Sequence, residues 1–184
     1  MGLNHCVITS VDRDDLEDGG AAVWAETVRK IKALNPHITI ETLIPDLDAQ
    51  PEHFHKIVEA GPDVISHNLE TVRRLTPQIR SRAKYEVSLK TLRILSEAGA
   101  VTKSGIMVGM GETTDEVLDT MDDLLNVNCY IMTIGQYMQP TRKHLEVAEY
   151  VHPDTFEWYR QKALQKGFRF VESAPLVRSS YHAE

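Results

Sequence analysis

Cysteine is almost absent: the 184 residues contain two, Cys6 and Cys129. Far apart and in no metal-ligand spacing, they exclude a disulfide scaffold, and no cysteine-ligated zinc or iron–sulfur site made by this chain alone is expected. Long apolar runs are missing as well, since no stretch reaches the roughly 18 residues that span a bilayer. The first residues, Met1 to His5, lack the basic-then-apolar profile of a secretory leader, so a cytoplasmic protein with no membrane partner is expected. Positive charge is in deficit, with 20 Lys and Arg against 27 Asp and Glu and a formal charge of −7. That balance counts against nucleic acid as a partner. Glycine and proline (10 and 8) are neither periodic nor clustered, which removes collagen-like and low-complexity classes. What is there is a globular balance, 42% hydrophobic and 26% charged, read as a single domain over residues 1–184.

Short β-branched runs alternate with longer amphipathic ones. Strands are predicted at 6–9, 38–43, 63–66, 101–108, 130–134 and 168–171, and helices at 21–34, 51–60, 86–98, 114–126 and 153–166. Trp24, Val28, Ile31 and Leu34 share one helical face. Thr113 or Thr114 suits a helix cap with Asp115 and Glu116 in the first turn, and Pro153 suits a first helical position. Such alternation predicts an α/β fold with a parallel sheet and right-handed crossovers. About six strands in this length fall short of a full eight-stranded barrel, so an incomplete parallel (β/α) barrel is expected, with polar clusters converging at the carboxyl ends of its strands.

Several of those clusters suit ligand chemistry, each beside a plainer reading. Thr9, Ser10, Asp12 and Arg13 leave the first strand with groups that grip an ammonium or a ribose, or they belong to a charged loop capping the next helix. Asp18-Gly19-Gly20 predicts a tight turn. Asp12 and Asp14 point to opposite faces of an extended segment and make no metal pair. His67, Asn68 and Glu70 offer an imidazole, a carboxamide and a carboxylate at a strand end; alternatively Asn68 caps a helix opened by Glu70-Thr71. Gly105, Gly109 and Gly111 clear a strand and its loop, before Glu112, while Lys103 suits a buried point charge. The glycine spacing fits neither a dinucleotide nor a P-loop fingerprint. Gln136, Tyr137, Gln139, Thr141 and His144 suit hydrogen bonding to a ligand or to buried backbone. The end of the chain carries Arg178, Ser179, Ser180, Tyr181 and His182, without the nucleophile elbow of a hydrolase.

In this order, the segments resemble the lipoyl synthase family of radical S-adenosylmethionine enzymes. The matching stretches are Val7 to Leu16 with Asp18 to Ala21, Leu43 to Asp46, Pro62 to Val64, His67 to Val72, Tyr85 with Ser88-Leu89, Thr102 to Gly109 with Gly111 to Thr113, Thr133 to Tyr137 with Gln139 to Thr141 and His144, and Pro175 to Ala183. The resemblance covers essentially the whole chain. It implies sulfur insertion into protein-bound octanoyl-lysine, with S-adenosylmethionine and one 4Fe-4S cluster generating a radical and a second 4Fe-4S cluster donating sulfur. It further implies octanoylated lipoyl-carrier domains or H-protein as partners, and iron–sulfur delivery proteins. By the same resemblance Thr9, Ser10, Asp12 and Arg13 approach the cofactor's methionyl end, and Asn68 and Glu70 its ribose and methionyl polar groups. Lys103 would neutralise its carboxylate, the turn of Gly109, Gly111 and Glu112 would follow the adenine, and Gln136 and Tyr137 would close the far side. Residues 172–184 would close the mouth, with Ser180 rather than Ser179 as the oxygen ligand of the sulfur-donating cluster.

The departure lies in the thiolates. The family's C-x-x-x-C-x-x-C and C-x-x-x-x-C-x-x-x-x-x-C motifs are absent, and Cys6 and Cys129 are expected to be small buried hydrophobes. The chain is expected to correspond to the family's barrel from its second unit onward and to be inactive alone. Two other classes stand beside this reading: a non-catalytic module binding S-adenosylmethionine or an octanoylated carrier, and a metal-independent barrel enzyme using His67, Glu70 and Lys103.

Overall fold

β-branched segments too short for helices pair into strands, and each amphipathic segment returns the chain across one face. The computed structural model describes residues 2–80 and 82–180. Six strands, β1 (His5–Thr9), β2 (Thr39–Leu43), β3 (Val64–Ser66), β4 (Thr102–Val108), β5 (Ile131–Gln136) and β6 (Phe170–Ser173), lie in sequence order, all parallel. Between them run α1 (Ala21–Leu34), α2 (Pro51–Glu59), α3 (Thr76–Ile79), α4 (Tyr85–Glu97), α5 (Thr114–Leu125) and α6 (Pro153–Lys166), with a 3₁₀ turn at Leu47–Ala49. This is the expected incomplete (β/α) barrel. Among the described residues no helix is long and apolar enough to cross a membrane.

The two faces of the sheet differ in chemistry because side chains alternate along each strand. Ile106, Val108, Met132 and Ile134 point outward and pack with Val117, Met121, Leu124 and Phe156 in the main apolar core. Ile65 joins Trp24, Phe54, Ile57 and Leu95 in a second cluster, and Ile40 joins Ala25 and Val28 in a third. Many inward positions are polar or bare, among them Glu41, Ser66, Lys103, Gly105 and Thr133, while Leu43 and Met107 add apolar wall.

Local signals set most boundaries. Thr113 caps α5 in a full capping box with Glu116, and Pro153 opens α6 behind His152. Gly19 and Gly20, both with positive φ, make the turn before α1, where Asp18 accepts from the Gly20 and Ala22 N–H groups. Three expectations fail. Leu34 is 88% exposed, so the buried face of α1 stops short of it. Asn68 caps no helix: Glu70, at φ 67°, instead bridges to Ile106 and extends the β3–β4 ladder. The last strand begins at Phe170 rather than Phe168, because Phe168 sinks into the main core while Arg169 stacks on Tyr130.

Candidate functional site

The expected single mouth is two depressions at the carboxyl ends of the strands. The larger, about 560 Å³, lies over β1 to β3 and is walled by Asp12, Arg13, Asp46, His53 and Arg80 with their loops. The smaller, about 240 Å³, lies over β3 to β5 and is walled by Asn68, Glu70, Gly105, Thr133, Gly135 and Ser179.

The smaller cavity is built by a backbone excursion. After β3, Glu70 takes a left-handed conformation costing roughly 1–2 kcal/mol for a residue with a Cβ. The Glu70 N–H donates to the Gly105 carbonyl at 3.0 Å and the Met107 N–H to the Glu70 carbonyl at 2.9 Å, and these bonds hold the excursion. The Asn68 Nδ2 donates to Glu70 Oε1 at 3.1 Å. Gly105 makes room for this pair, since a Cβ there would stand 2.5 Å from Thr133 Oγ1 and 3.2 Å from Asn68 Oδ1. A carboxylate, a carboxamide and a hydroxyl thus line one bare stretch of strand.

A directed hydrogen-bond chain supports Asn68 from behind. His67 is buried outside the barrel, against α4, so it belongs to neither cavity and the expected trio is broken. Its Nδ1 lies 2.9 Å from the Ile44 carbonyl and must be the protonated nitrogen, because a carbonyl only accepts. Nε2 then accepts from Ser88 Oγ at 2.9 Å, and Ser88 Oγ accepts from Arg80 Nη1 at 2.9 Å. Arg80 Nη1 also donates to the Asn68 carbonyl at 3.2 Å. Burial holds the His67 imidazole neutral, down to about 4. Arg80, which sequence reasoning missed, therefore walls the larger cavity and holds the backbone of Asn68, which walls the smaller; its only signal was an arginine near a short helix, which is no signal at all.

Other expected residues are engaged elsewhere. Lys103 is inward but one layer below the cavity, with its Nζ 3.0 Å from Glu41 Oε2, while Ser66 Oγ donates to Glu41 Oε1 at 2.5 Å. Glu112 folds back, its two carboxylate oxygens accepting from the Gly109 and Met110 N–H groups at 2.6 and 2.9 Å. The Gly109 carbonyl is covered in turn by the Ala148 and Glu149 N–H groups, leaving Gly111 as the exposed part of that turn. The Gln136 amide donates to the Tyr137 and Glu149 carbonyls and accepts from the Val151 N–H, and the Tyr137 hydroxyl donates to the Leu145 carbonyl. Both residues therefore secure the segment before α6 rather than offering free polar groups. Thr9 and Ser10 are exposed and outside both cavities; Ser10 bonds the Val11 carbonyl. Arg13 forks onto Asp15 at 2.7 and 2.6 Å, and Asp14 pairs with Arg82 at 2.6 Å. Ser179 walls the smaller cavity and Ser180 is exposed beside it; Tyr181 and His182 lie outside the described residues.

The thiols stand apart. Cys129 is buried in the main core, its thiol pushed up to about 12 by that burial. Cys6 is half-buried rather than buried; it faces α1 within the third cluster, and burial raises its thiol too. Among the described residues no three His, Cys, Asp or Glu side chains are grouped to hold a metal.

Residues 1–124 match the model of the radical SAM superfamily. Over its whole length the chain is 60% identical to a lipoyl synthase of Parabacteroides distasonis and 58% identical to one of Treponema denticola, covering 66% and 63% of those proteins. The chain thus spans slightly less than two thirds of the curated relatives' length. In fold it resembles the crystal structure of methylornithine synthase, with a TM-score of 0.71 at 13% identity, covering 100% of this chain and 62% of that one.

Proposed function

The chain belongs to the radical SAM superfamily, and from that membership we propose that it forms the S-adenosylmethionine-binding part of a lipoyl synthase. The enzyme type inserts two sulfur atoms into protein-bound octanoyl-lysine, and its partners in this reading are octanoylated lipoyl-carrier domains or H-protein, with iron–sulfur delivery proteins supplying clusters. The observation that carries the proposal is the 60% identity running over all 184 residues. The smaller cavity gives that identity a physical counterpart.

The residues fit the cofactor in part. The Glu70 carboxylate and Asn68 amide oxygen suit an ammonium or ribose hydroxyls, and Gly105 lets a planar group lie against β4. Lys103 is not free for the methionyl carboxylate. Arg80 takes that role, because its guanidinium lines the larger cavity and forms no ion pair among the described residues. S-adenosylmethionine, given one electron by a reduced cluster that these residues do not hold, would supply the radical for hydrogen abstraction from an unactivated chain, and the protein's share is to bind and orient it at these groups. A 4Fe-4S cluster does not fit the described residues, since Cys6 and Cys129 sit in different apolar clusters and, among the described residues, no three His, Cys, Asp or Glu side chains are grouped as ligands. In this reading the chain's share is to bind and orient the cofactor, and the described residues offer no thiolate set for the reducing or sulfur-donating cluster.

Calorimetry of the purified chain with S-adenosylmethionine tests the proposal. Saturable binding is expected, weakened about tenfold or more by Glu70→Gln, the loss of one hydrogen bond to a charged group. Absence of binding heat would remove it.

A further inference from the structure

Gly135 is an inward position on β5, paired with Met107 of β4, and it has no side chain where its neighbours Thr133 and Met107 do. The reason lies in the C-terminal segment. A Cβ at Gly135 would fall well inside van der Waals contact of the Val177 carbonyl oxygen, with the Val177 carbonyl carbon at 3.4 Å. Around this contact the segment is tied to β5 backbone to backbone: the Ala174 N–H donates to the Ile134 carbonyl at 3.2 Å and the Gln136 N–H to the Pro175 carbonyl at 3.3 Å. The Val177 side chain is buried, while Leu176 before it is 84% exposed. The segment therefore holds by its backbone and by Val177, not by a broad apolar face. Beyond that point Arg178 and Ser179 turn into the wall of the smaller cavity.

We propose that Gly135 is a positioning residue: its bare Cα lets the Val177 carbonyl lie directly on β5, and this placement brings Arg178 and Ser179 over the cavity that Asn68 and Glu70 share. The cavity is then composite, closed on one side by a segment that can leave without unfolding the sheet. A ligand held between Glu70 and that segment and the placed segment stabilise each other, because each removes part of the freedom the other must lose. The coupling rests on the cofactor reading above; the Gly135 contact does not.

Arg178 is exposed and followed by Ser179, which makes the chain cleavable by trypsin there whenever the segment lifts. Gly135→Ala is expected to speed cleavage after Arg178 at least tenfold while cleavage at lysines of α1 and α4 keeps its native rate. An unchanged Arg178 rate would overturn the proposal. A thermodynamic cycle keeps the answer clear if the variant is poorly stable: Gly135→Ala is made both in the full chain and in a chain ending at Ala174. The substitution should lower the urea midpoint of the full chain and leave the shortened chain unchanged or raised, since alanine is favoured over glycine in a strand once the carbonyl is gone. Equal effects in both chains would overturn it as well. S-adenosylmethionine, added where calorimetry registers binding, should slow Arg178 cleavage of the native chain. Binding without protection would sink the coupling, whereas no binding would sink the cofactor reading and leave the Gly135 contact to the cycle.

Discussion

Lys103 carries its ammonium into the barrel interior beside Glu41, both side chains at 1% exposure or less. Sequence reasoning identified a buried point charge at Lys103; the family resemblance implied the cofactor's carboxylate as its partner, whereas here the partner is Glu41. The reason is physical: a lysine on an inward strand position is readable from alternation, whereas its counter-ion sits 62 residues away on β2, in a run, Ile38 to Leu43, whose apolar neighbours make Glu41 look like an ordinary surface break. The pair shares the layer directly under Leu43, Asn68 and Gly105, so its removal is expected to loosen the cavity from below. Lys103→Met leaves Glu41 buried without compensation and should cost about 3–5 kcal/mol in urea unfolding. Lys103→Met with Glu41→Leu should recover most of that loss, because two apolar groups of similar volume need no counter-charge. A double variant as unstable as the single one would show that the layer depends on charge itself.

At the scale of elements, the helices and strands that alternate in polarity were legible to within a residue or two, and the start of α5 was legible as Thr113 or Thr114 with Asp115 and Glu116 in the first turn, of which Thr113 is the cap. What was hidden is how elements are joined behind the site. His67 reads like a ligand at a strand end, yet the strand's next outward position faces α4, and the imidazole links β2 through Ile44 to α4 through Ser88. That linkage has a pH signature. Burial depresses the His67 imidazole from 6.5 to about 4, so between these values the unfolded chain takes up a proton that the native chain refuses. This contribution is fully present above pH 6.5, is lost as pH falls toward 4, and changes no further below it, amounting to roughly 3 kcal/mol. Urea unfolding followed from pH 7 to 4 should therefore fall more steeply for the native chain than for His67→Gln, whose amide can still donate to Ile44 and accept from Ser88. Parallel curves for the two proteins would place the proton elsewhere.

For the molecule as a whole, the parallel order and the polar interior follow from pattern, while the division of the mouth into two cavities does not. It arises where the Asn68–Glu70 excursion and Arg80 meet, from a left-handed residue and a guanidinium that no periodicity announces. The thiol count, by contrast, gains meaning only from the three-dimensional placement. Cys6 packs toward α1 at the β1 side of the sheet and Cys129 lies in the core between α5 and β5. Neither thiol lines either of the two mouth cavities, and each is raised rather than lowered by its surroundings, the reverse of what a metal-binding thiolate needs. Anaerobic incubation of the chain with iron, sulfide and a thiol reductant, followed by desalting, should therefore leave iron and acid-labile sulfide far below one 4Fe-4S cluster per chain. Cys6→Ser and Cys129→Ser should leave that residual iron unchanged, because what remains is adventitious. Near-stoichiometric iron abolished by either substitution would mean that the two clusters rearrange to bring their thiols together, and the separation of binding from cluster chemistry in this chain would fall with it.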